Sequence, residues 1–526
     1  MRETPRSHGG IVTAPHHLAA QAGRDILAVG GTAVEATIAM AATLAVVYPH
    51  MTGLGGDGFW LIGRPGQAPR AIDASGCAVA AARLETYAGH AEIPQRGVLA
   101  ANTVAGTVGG WQKALEISRD WQQPLPHAAL MASAIRHATT GFAVSRSQAA
   151  LTATHLPALR EAPGFSGTFL LDGVPPREAD RMRLPRLAAT LEALARDGFD
   201  SFYRGPLAAR IAQDMARIDG LVTEADLAGW QAAEVAPLSL TLRDGSRLFN
   251  LPAPTQGMAS LAILGIADLL PPGGTDSFEH VHGLIEATKA AFRQRDAIIG
   301  DPQLSGDQQA PLTAAALQAA ARGIDMQRAA PWPHPATPGD TIWCGAVDAA
   351  GNMTSFIQSI FFEFGSGVVL QDSGLTWQNR GSSFTLATEG LRALAPGRKP
   401  FHTLNPAMAE FPDGRRMSYG TMGGEGQPQT QAAVFSRHAR GVPLQEAVTR
   451  PRWLLGRTWG DAQTTLKLEA DIGDGLIAAL RAAGHEVELL PAHSSTMGHA
   501  GALVLHPDGL CEGATDPRSD GAVAAL

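Results

Sequence analysis

The chain has 526 residues, of which 45% are hydrophobic and 17% are charged, a composition typical of a folded globular protein. The formal net charge is −8 at pH 7 and no long basic run occurs, so nucleic acid and anionic membranes are not expected partners. Length alone would suggest about three domains.

The N-terminus and the cysteines indicate a cytoplasmic protein. Residues 1–8 hold no apolar core of the kind that a secretory signal requires. The longest apolar run, Ala36–Tyr48, is too short to cross a bilayer and is typical of a buried helix. Cys77, Cys344 and Cys511 are odd in number and widely spaced, which predicts neither a disulfide framework nor a CxxC metal site.

A glycine-rich loop follows the first two predicted helices. The second helix, about 33–47, stops before Pro49, and the loop then leads to the strand-like Phe59–Ile62. Gly53, Gly55 and Gly58 match the spacing of a dinucleotide-binding motif. That motif needs a strand before the glycines and a helix after them, and here the order is reversed. We therefore interpret the loop as tight backbone geometry and not as a cofactor site.

The middle of the chain is predicted to be mostly helical. Helices with Pro and Gly breaks fill about 125–235, and Pro252–Gly257 forms a rigid turn into another helix. A long amphipathic helix covers about 277–296. Its paired histidines, His280 and His282, are two residues apart and do not face each other on a helix. No HExxH or Cys/His cluster occurs elsewhere, so no metal site is expected.

Two strands joined by a turn begin at Thr341. A Pro-rich segment, 331–338, leads to Gly339 and Asp340, and the turn follows at 348–352. A cut before Thr341 would place a free α-amine, with a pKa of roughly 7.7–8.0, beside the threonine hydroxyl. Such an amine can activate the hydroxyl as a nucleophile. The alternative is that Thr341 is an ordinary β-branched strand residue.

A second glycine pair follows the predicted strand Arg416–Tyr419. Gly423 and Gly424 lead from this strand into a helix, a geometry that exposes several backbone N–H groups in one place. Two interpretations stay open at this point, a simple turn and an oxyanion hole.

Several short motifs lie in a fixed order along nearly the whole chain. They are Ala14–Ala19 with Gly30–Gly31, Gly53–Asp57, Arg96–Gly97, Pro252–Pro254, the helix end Glu286–Pro302, Asp340–Thr341, Phe364–Gly367, Gly423–Gly424 and Asp516–Gly521. No single motif is specific. Together they resemble the γ-glutamyltransferase family of N-terminal-nucleophile hydrolases.

The resemblance implies an α+β fold, a four-layer αββα sandwich in which one chain cuts itself into two subunits. The cut falls between Asp340 and Thr341, so residues 1–340 form the large subunit and residues 341–526 the small one. The two subunits interlock as one structural domain and form a heterodimer, with a dimer of heterodimers left open. Counting domains by length is therefore misleading for this chain.

The resemblance also implies the catalytic residues. Thr341 becomes the nucleophile, and the N–H groups of Gly423 and Gly424 hold the oxyanion. Ser359 stands where the family has a second threonine that hydrogen-bonds the nucleophile. No cofactor and no metal are implied.

The substrate-binding positions depart from those of the γ-glutamyl enzymes. Phe361, Arg380 and Ser383 stand where an asparagine, a glutamine and an aspartate hold the α-ammonium group, and His402 and Thr403 replace the paired serines that contact the α-carboxylate. Because Arg380 would repel an ammonium group, we expect an acyl group with a free carboxylate that Arg380 grips bidentately.

Two further interpretations concern arginines. Arg96 is a second candidate for gripping the carboxylate. For Arg380 itself, the alternative is a structural salt bridge.

Two branches of the family fit such a pocket. Glutaryl-cephalosporin acylases cleave a glutaryl amide, and oxamate amidohydrolases release ammonia from a very small amide acid. The bulky Phe361, Phe362 and Trp377 favour the smaller substrate, so we expect hydrolysis of oxamate to oxalate and ammonia, in purine-nitrogen salvage. The alternatives are a γ-glutamyl hydrolase or transpeptidase acting on glutathione-like substrates, a glutaryl acylase, and an uncleaved, non-enzymatic binding protein.

Overall fold

The structure, a computed structural model of the single chain, describes residues 3–332, 340–456 and 464–526. The Pro-rich segment predicted before the cut lies almost wholly outside these ranges. Within them, no helix has the length and apolar character needed to span a membrane.

Most strands are short and belong to two seven-stranded sheets. The described strands are β1 (Arg6–Ser7), β2 (Ile11–Ala14), β3 (Asp57–Gly63), β4 (Arg70–Ala74), β5 (Phe142–Ala143), β6 (Arg181–Met182), β7 (Ala233–Val235), β8 (Leu238–Thr241), β9 (Arg247–Asn250), β10 (Asp340–Val347), β11 (Met353–Phe361), β12 (Ala407–Glu410), β13 (Arg416–Thr421), β14 (Trp453–Leu455), β15 (Leu466–Glu469), β16 (Val487–Leu490), β17 (Ala500–Leu505), β18 (Cys511–Thr515) and β19 (Ala522–Ala525).

Helices cover the outer faces of the two large sheets. The described helices are α1 (His17–Ala28), α2 (Ala33–Val47), α3 (Thr107–Ser118), α4 (His127–Thr140), α5 (Arg146–Leu159), α6 (Phe165–Phe169), α7 (Pro185–Asp197), α8 (Pro206–Ala216), α9 (Glu224–Gly229), α10 (Gly257–Leu269), α11 (Phe278–Ile298), α12 (Ala314–Arg322), α13 (Gln427–Ala439), α14 (Leu444–Thr449) and α15 (Asp474–Ala482).

Helix α2 shows why the local sequence folds as it does. All of its residues are buried, so small alanines are needed for the helix to pack closely inside a layer. Its first turn is fixed by a capping box in which Thr32 and Glu35 each accept a hydrogen bond from the other's backbone N–H. The predicted bounds of this helix are confirmed.

Both large sheets are antiparallel throughout. The first has the strand order β1-β18-β17-β13-β12-β9-β8, and the second has the order β19-β2-β10-β11-β3-β4-β7. The hairpin of β10 and β11 therefore lies at the centre of the second sheet, where no strand edge is exposed.

Three separate hydrophobic cores define four layers. One core joins helices such as α1, α2 and α4 to the second sheet, and another joins α10, α11 and α13 to the first sheet. The third core lies between the two sheets and includes Phe59, Trp343 and Leu503. Since each core fills the gap between two adjacent layers, the layers run helix, sheet, sheet, helix. The predicted αββα sandwich is confirmed.

Candidate active site

Thr341 lies at the start of β10, beside an irregularity in the central hairpin. The strands pair regularly from Val347 opposite Met353 to Ile342 opposite Gln358, and the register then shifts before Asp340 meets Phe361. Two steps along β10 thus correspond to three along β11, which is a β-bulge, a feature that is common next to active sites.

The Thr341 side chain is buried in this single-chain form. It is 1% exposed, and its hydroxyl donates a hydrogen bond of 2.8 Å to the carbonyl oxygen of Gln358. The bulge thus gives the hydroxyl a fixed direction beside the Asp340–Thr341 peptide bond.

Ser359 and Phe361 shape the end of β11. Phe361 has a φ of 80°, the left-handed region in which a bulky residue is strained. Its N–H donates a 2.8 Å hydrogen bond to the Ser359 hydroxyl oxygen, which helps to hold this conformation. Ser359 is also paired with Asp57 of β3. The bond from Ser359 to the nucleophile that the family implies stays a prediction.

Gly423 and Gly424 form the turn between β13 and α13. Both have positive φ, 123° and 52° respectively, which explains why glycine is needed at each position. Neither N–H donates a hydrogen bond to another residue in the described ranges. Two buried, uncommitted N–H groups side by side are what an oxyanion hole requires. Their catalytic role stays a prediction.

A buried polar chain fixes the peptide of this glycine pair. Gln256 Nε2 donates to the carbonyl oxygen of Gly424 at 2.9 Å and to that of Thr403 at 2.7 Å. Arg295 Nη1 in turn donates to Gln256 Oε1 at 3.0 Å. The turn is therefore held in place by the residue that precedes α10, by Arg295 of α11 and by the segment before β12.

Arg380 is buried and has no ion-pair partner among the side chains that the structure describes. It is 1% exposed, and its Nη1 and Nη2 atoms make no hydrogen bond to any residue that the structure describes. Its Cζ atom lies 3.6 Å from the centroid of the Phe361 ring, so the guanidinium is stacked on that ring. Burial lowers the pKa of Arg380 to about 9, and Asp57 opposes this shift. The group is therefore charged at neutral pH.

The alternative interpretation of Arg380 as half of a structural salt bridge finds no support. Among the side chains that the structure describes, no carboxylate oxygen lies within 4.0 Å of its guanidinium. A buried guanidinium with two open N–H edges is costly in the absence of an anion and is well suited to bind a carboxylate in bidentate fashion.

His402 and Asp57 form a buried pair that interacts electrostatically with this guanidinium. His402 is fully buried, and its Nε2 atom is 3.3 Å from Asp57 Oδ2, although the pair is not aligned as a hydrogen bond. Burial, with Arg380 as a second cause, lowers the pKa of His402 to about 4, so the ring is neutral at pH 7. Asp57 was missed by sequence reasoning, although it ends the glycine-rich loop that was singled out.

The other three predicted binding residues are bonded within the protein. Ser383 donates to the Arg380 carbonyl oxygen at 2.6 Å, and Thr403 is buried with its carbonyl held by Gln256. Arg96 donates to the carbonyl oxygens of Glu363, at 2.5 Å, and of Gly365. Arg96 therefore braces the turn after β11, and a substrate carboxylate would compete with these bonds. The substrate-binding roles of all three stay predictions.

One cluster of potential metal ligands is present among the described residues, and sequence reasoning did not find it. His280 and His282 do not converge, but His282 Nδ1 lies 2.9 Å from His485 Nε2, and Glu286 is close by. Lys289 Nζ is 2.7 Å from Glu286 Oε1. Because this ammonium group already supplies the positive charge, we assign no metal to the cluster.

Known proteins resemble this chain over its whole length. The γ-glutamyltranspeptidase family model matches residues 19–526. The oxamate amidohydrolase proenzyme of Klebsiella pneumoniae is 56% identical, with 100% of both chains covered. The glutathione hydrolase-like YwrD proenzyme of Bacillus subtilis is 37% identical, with 98% of both covered. The crystal structure of a cephalosporin acylase from Bacillus halodurans has a TM-score of 0.91 and 31% identity, covering 100% of this chain and 97% of that one.

Proposed function

Because the chain belongs to the γ-glutamyltranspeptidase family, we propose that it is a self-cleaving amidohydrolase that converts oxamate to oxalate and ammonia through an acyl-enzyme on Thr341. The observation that carries the choice of substrate class is the buried guanidinium of Arg380, which has two open N–H edges and no carboxylate beside it in the described residues. The 56% identity to an oxamate amidohydrolase proenzyme supports the substrate itself.

Maturation requires one peptide bond to be broken. The Thr341 hydroxyl oxygen attacks the carbonyl carbon of Asp340, the C–N bond breaks, and the acyl group moves from the nitrogen to the oxygen. Water then hydrolyses the resulting ester, which releases a carboxylate on Asp340 and an α-amine on Thr341. The bulge at this point of the hairpin supports the proposal, since it orients the hydroxyl next to its own peptide bond.

Turnover uses the α-amine that maturation creates together with the Thr341 hydroxyl. The α-amine of Thr341 takes the hydroxyl proton, and the oxygen attacks the amide carbon of the substrate. The N–H groups of Gly423 and Gly424 stabilise the oxyanion, a contribution of about 2.7–4 kcal/mol per donor in comparable enzymes. The amine returns the proton to the leaving nitrogen, ammonia departs, and water hydrolyses the oxalyl ester to oxalate.

Recognition depends on charge and size together. Arg380 supplies two parallel N–H groups for a carboxylate, and the Phe361 ring closes one face of the pocket. An α-ammonium group, as in a γ-glutamyl substrate, would meet the Arg380 cation in a buried, low-dielectric place. The pocket therefore favours an acid amide without an ammonium group.

The proposal also includes a cellular setting for this chemistry. We place the enzyme in the cytoplasm, in the salvage of nitrogen from purines, and we expect the two chains to remain together as a heterodimer. A dimer of heterodimers stays open. A denaturing gel separates this proposal from an uncleaved binding protein, which would run as one intact band.

Substrate comparison tests the proposal. Purified, processed enzyme is assayed for ammonia release from oxamate and from glutaramate, and for release of the chromogenic amine from a γ-glutamyl anilide. We expect the highest kcat/KM with oxamate. Rapid anilide hydrolysis without oxamate turnover would instead assign a γ-glutamyl hydrolase, and preference for glutaramate would assign a glutaryl acylase.

A further inference from the structure

The glycine-rich loop before β3 places an acidic side chain beside His402, where its charge also acts on Arg380. At Gly55 a Cβ atom would overlap the carbonyl oxygen of Thr376, and at Gly56 it would overlap that of Ser359. The loop therefore packs backbone against backbone at the end of β11. This close approach is the reason for the glycines, and it places Asp57 beside Ser359 in the sheet.

The two oxygens of Asp57 have different surroundings. Oδ1 accepts hydrogen bonds from the N–H groups of Gly76 at 2.9 Å and Gly106 at 3.0 Å, and from Gln378 Nε2 at 3.0 Å. Oδ2 makes no hydrogen bond within the described part of the chain and faces His402 Nε2 at 3.3 Å. The three donors on Oδ1 fix the side chain, so Oδ2 cannot turn away from the imidazole ring.

Asp57 favours one position for the single proton of the neutral His402 ring. A carboxylate attracts and accepts N–H groups, so its charge, 3.3 Å from Nε2, favours a proton on that nitrogen even though the two groups are not aligned as a hydrogen bond. Nδ1 then carries a lone pair. This atom is buried and has no partner among the described residues. A buried acceptor without a donor is unfavourable unless a ligand supplies one.

We propose that Asp57 is a positioning residue that holds His402 in the tautomer whose Nδ1 accepts an N–H from the substrate, while Arg380 takes the substrate's carboxylate. The pocket then has one edge for an anion and one neutral acceptor for an amide. It selects a small acid amide with a free N–H. It disfavours a dicarboxylate, because a carboxylate oxygen would then face the lone pair of His402 Nδ1 and no hydrogen bond could form. The inference rests on the proposed function and adds how the enzyme distinguishes its amide substrate from its dicarboxylate product.

Asp57→Asn tests this directly, because it replaces the acceptor Oδ2 that faces His402 with an NH2 donor. The asparagine oxygen can still accept the three N–H groups, but its NH2 group now faces His402, so the ring proton moves to Nδ1. Oxamate should bind more weakly and oxalate should inhibit more strongly. We expect the ratio of KM for oxamate to Ki for oxalate to rise about tenfold or more, the size of effect that one hydrogen bond exerts.

Asp214→Asn is the matched control. Asp214 is also buried, and it accepts backbone N–H groups, from Asp372 and Ser373. Its substitution removes the same charge from another buried carboxylate, one that is also paired with Arg217 at 3.1 Å, and its ratio should equal that of the wild type. If Asp57 only supports the fold, Asp57→Asn will weaken oxamate and oxalate alike and leave the ratio unchanged, which would overturn the inference.

Two further measurements keep the test decisive. If Asp57→Asn does not fold, His402→Phe, which removes the acceptor and keeps a ring, should raise the ratio in the same direction, and an unchanged ratio would contradict the inference. If the wild type does not turn oxamate over, the proposed function fails, and calorimetric dissociation constants for oxamate and oxalate then give the ratio without turnover. Binding of neither ligand to the wild type would overturn both proposals.

Discussion

At the scale of single residues, the proposed function assigns chemistry and recognition to different residues. Thr341 is an ordinary buried hydroxyl, bonded to the carbonyl of Gln358, until its peptide bond is cut. Arg380 is unusual already in the single chain, because it is a buried cation whose terminal nitrogens have no partner in the described ranges. In the proposed function, the first residue gains its role from a covalent change, whereas the second offers unused hydrogen-bonding capacity to a ligand.

Removing the Arg380 guanidinium should weaken substrate binding while stabilising the fold. Arg380→Met loses a bidentate, charge-assisted contact worth about 1.5–3 kcal/mol, so KM for oxamate should rise about ten- to hundredfold. The same change removes an uncompensated buried charge, so Tm should increase. Steady-state kinetics and calorimetry measure the two effects.

Arg380→Lys is the conservative comparison for that experiment. Lysine keeps the charge and loses the planar fork, so its KM should fall between those of the wild type and Arg380→Met. A wild-type KM in Arg380→Met would show that this guanidinium does not bind the substrate.

At the scale of elements, the glycine-rich loop and the central hairpin depend on each other. Ala at position 56 would overlap the carbonyl of Ser359, so Gly56→Ala should force the loop away from β11 and destabilise the protein by about 1–3 kcal/mol or more. The displaced loop would no longer hold Asp57 beside His402, so activity should also decrease. Thermal unfolding and oxamate turnover report on the two effects.

Gly475→Ala provides the control for that substitution. Gly475 is exposed in helix α15 and has open space where a Cβ would stand. Alanine should therefore stabilise this helix by about 0.5–1 kcal/mol without changing activity. Equal stability of Gly56→Ala and the wild type would mean that the close approach is not needed.

Local signals predicted the elements well, and long-range contacts explain what was missed. The bounds of α2 follow from its cap and its alanine pattern, which are local in sequence. Asp57 and His402 are separated by hundreds of residues and meet only when β3 and the segment before β12 pack together. The pairing of His282 with His485 is hidden for the same reason. Motif resemblance supplied the αββα architecture, which no local pattern encodes.

At the scale of the whole molecule, the two halves on either side of the predicted cut are interleaved. In the second sheet, β10 lies between β2, from the first half, and β11, from the second. In the first sheet, β12 pairs with β9, which also joins the two halves. Many backbone hydrogen bonds thus link the two halves, and these bonds do not depend on the peptide bond at the predicted cut.

The interleaving predicts that processing does not separate the subunits. Processed enzyme should elute as one species in native size-exclusion chromatography, while a denaturing gel resolves two bands. It should also unfold in one cooperative transition, since each of the two seven-stranded sheets takes strands from both halves. Two native peaks, or dissociation on dilution, would contradict this expectation.

Buried histidines predict a loss of stability in mild acid. Burial lowers the pKa of His280 to about 4 and that of His485 to about 3, against about 6.5 in the unfolded chain. At a pH between the folded and unfolded pKa values, the unfolded protein binds more protons than the folded protein does. The free energy of unfolding therefore has its full value above about pH 6.5 and decreases as the pH drops toward 4. Tm should therefore decrease from pH 7 to pH 5.

His485→Gln should reduce the slope of Tm against pH, because it removes one of these buried histidines. His90→Gln changes an exposed histidine and should leave the slope unchanged. Equal slopes in the two variants would count against buried histidines as the cause.

The state of the Asp340–Thr341 bond tests the central claim most directly. Intact-mass spectrometry of purified wild-type protein and of Thr341→Ala measures it without any assumption about the substrate. We predict two wild-type fragments, with masses that correspond to residues 1–340 and 341–526 and with threonine at the new N-terminus, and one uncut mass for Thr341→Ala. A single intact mass for active wild-type enzyme, or normal cleavage of Thr341→Ala, would contradict the account.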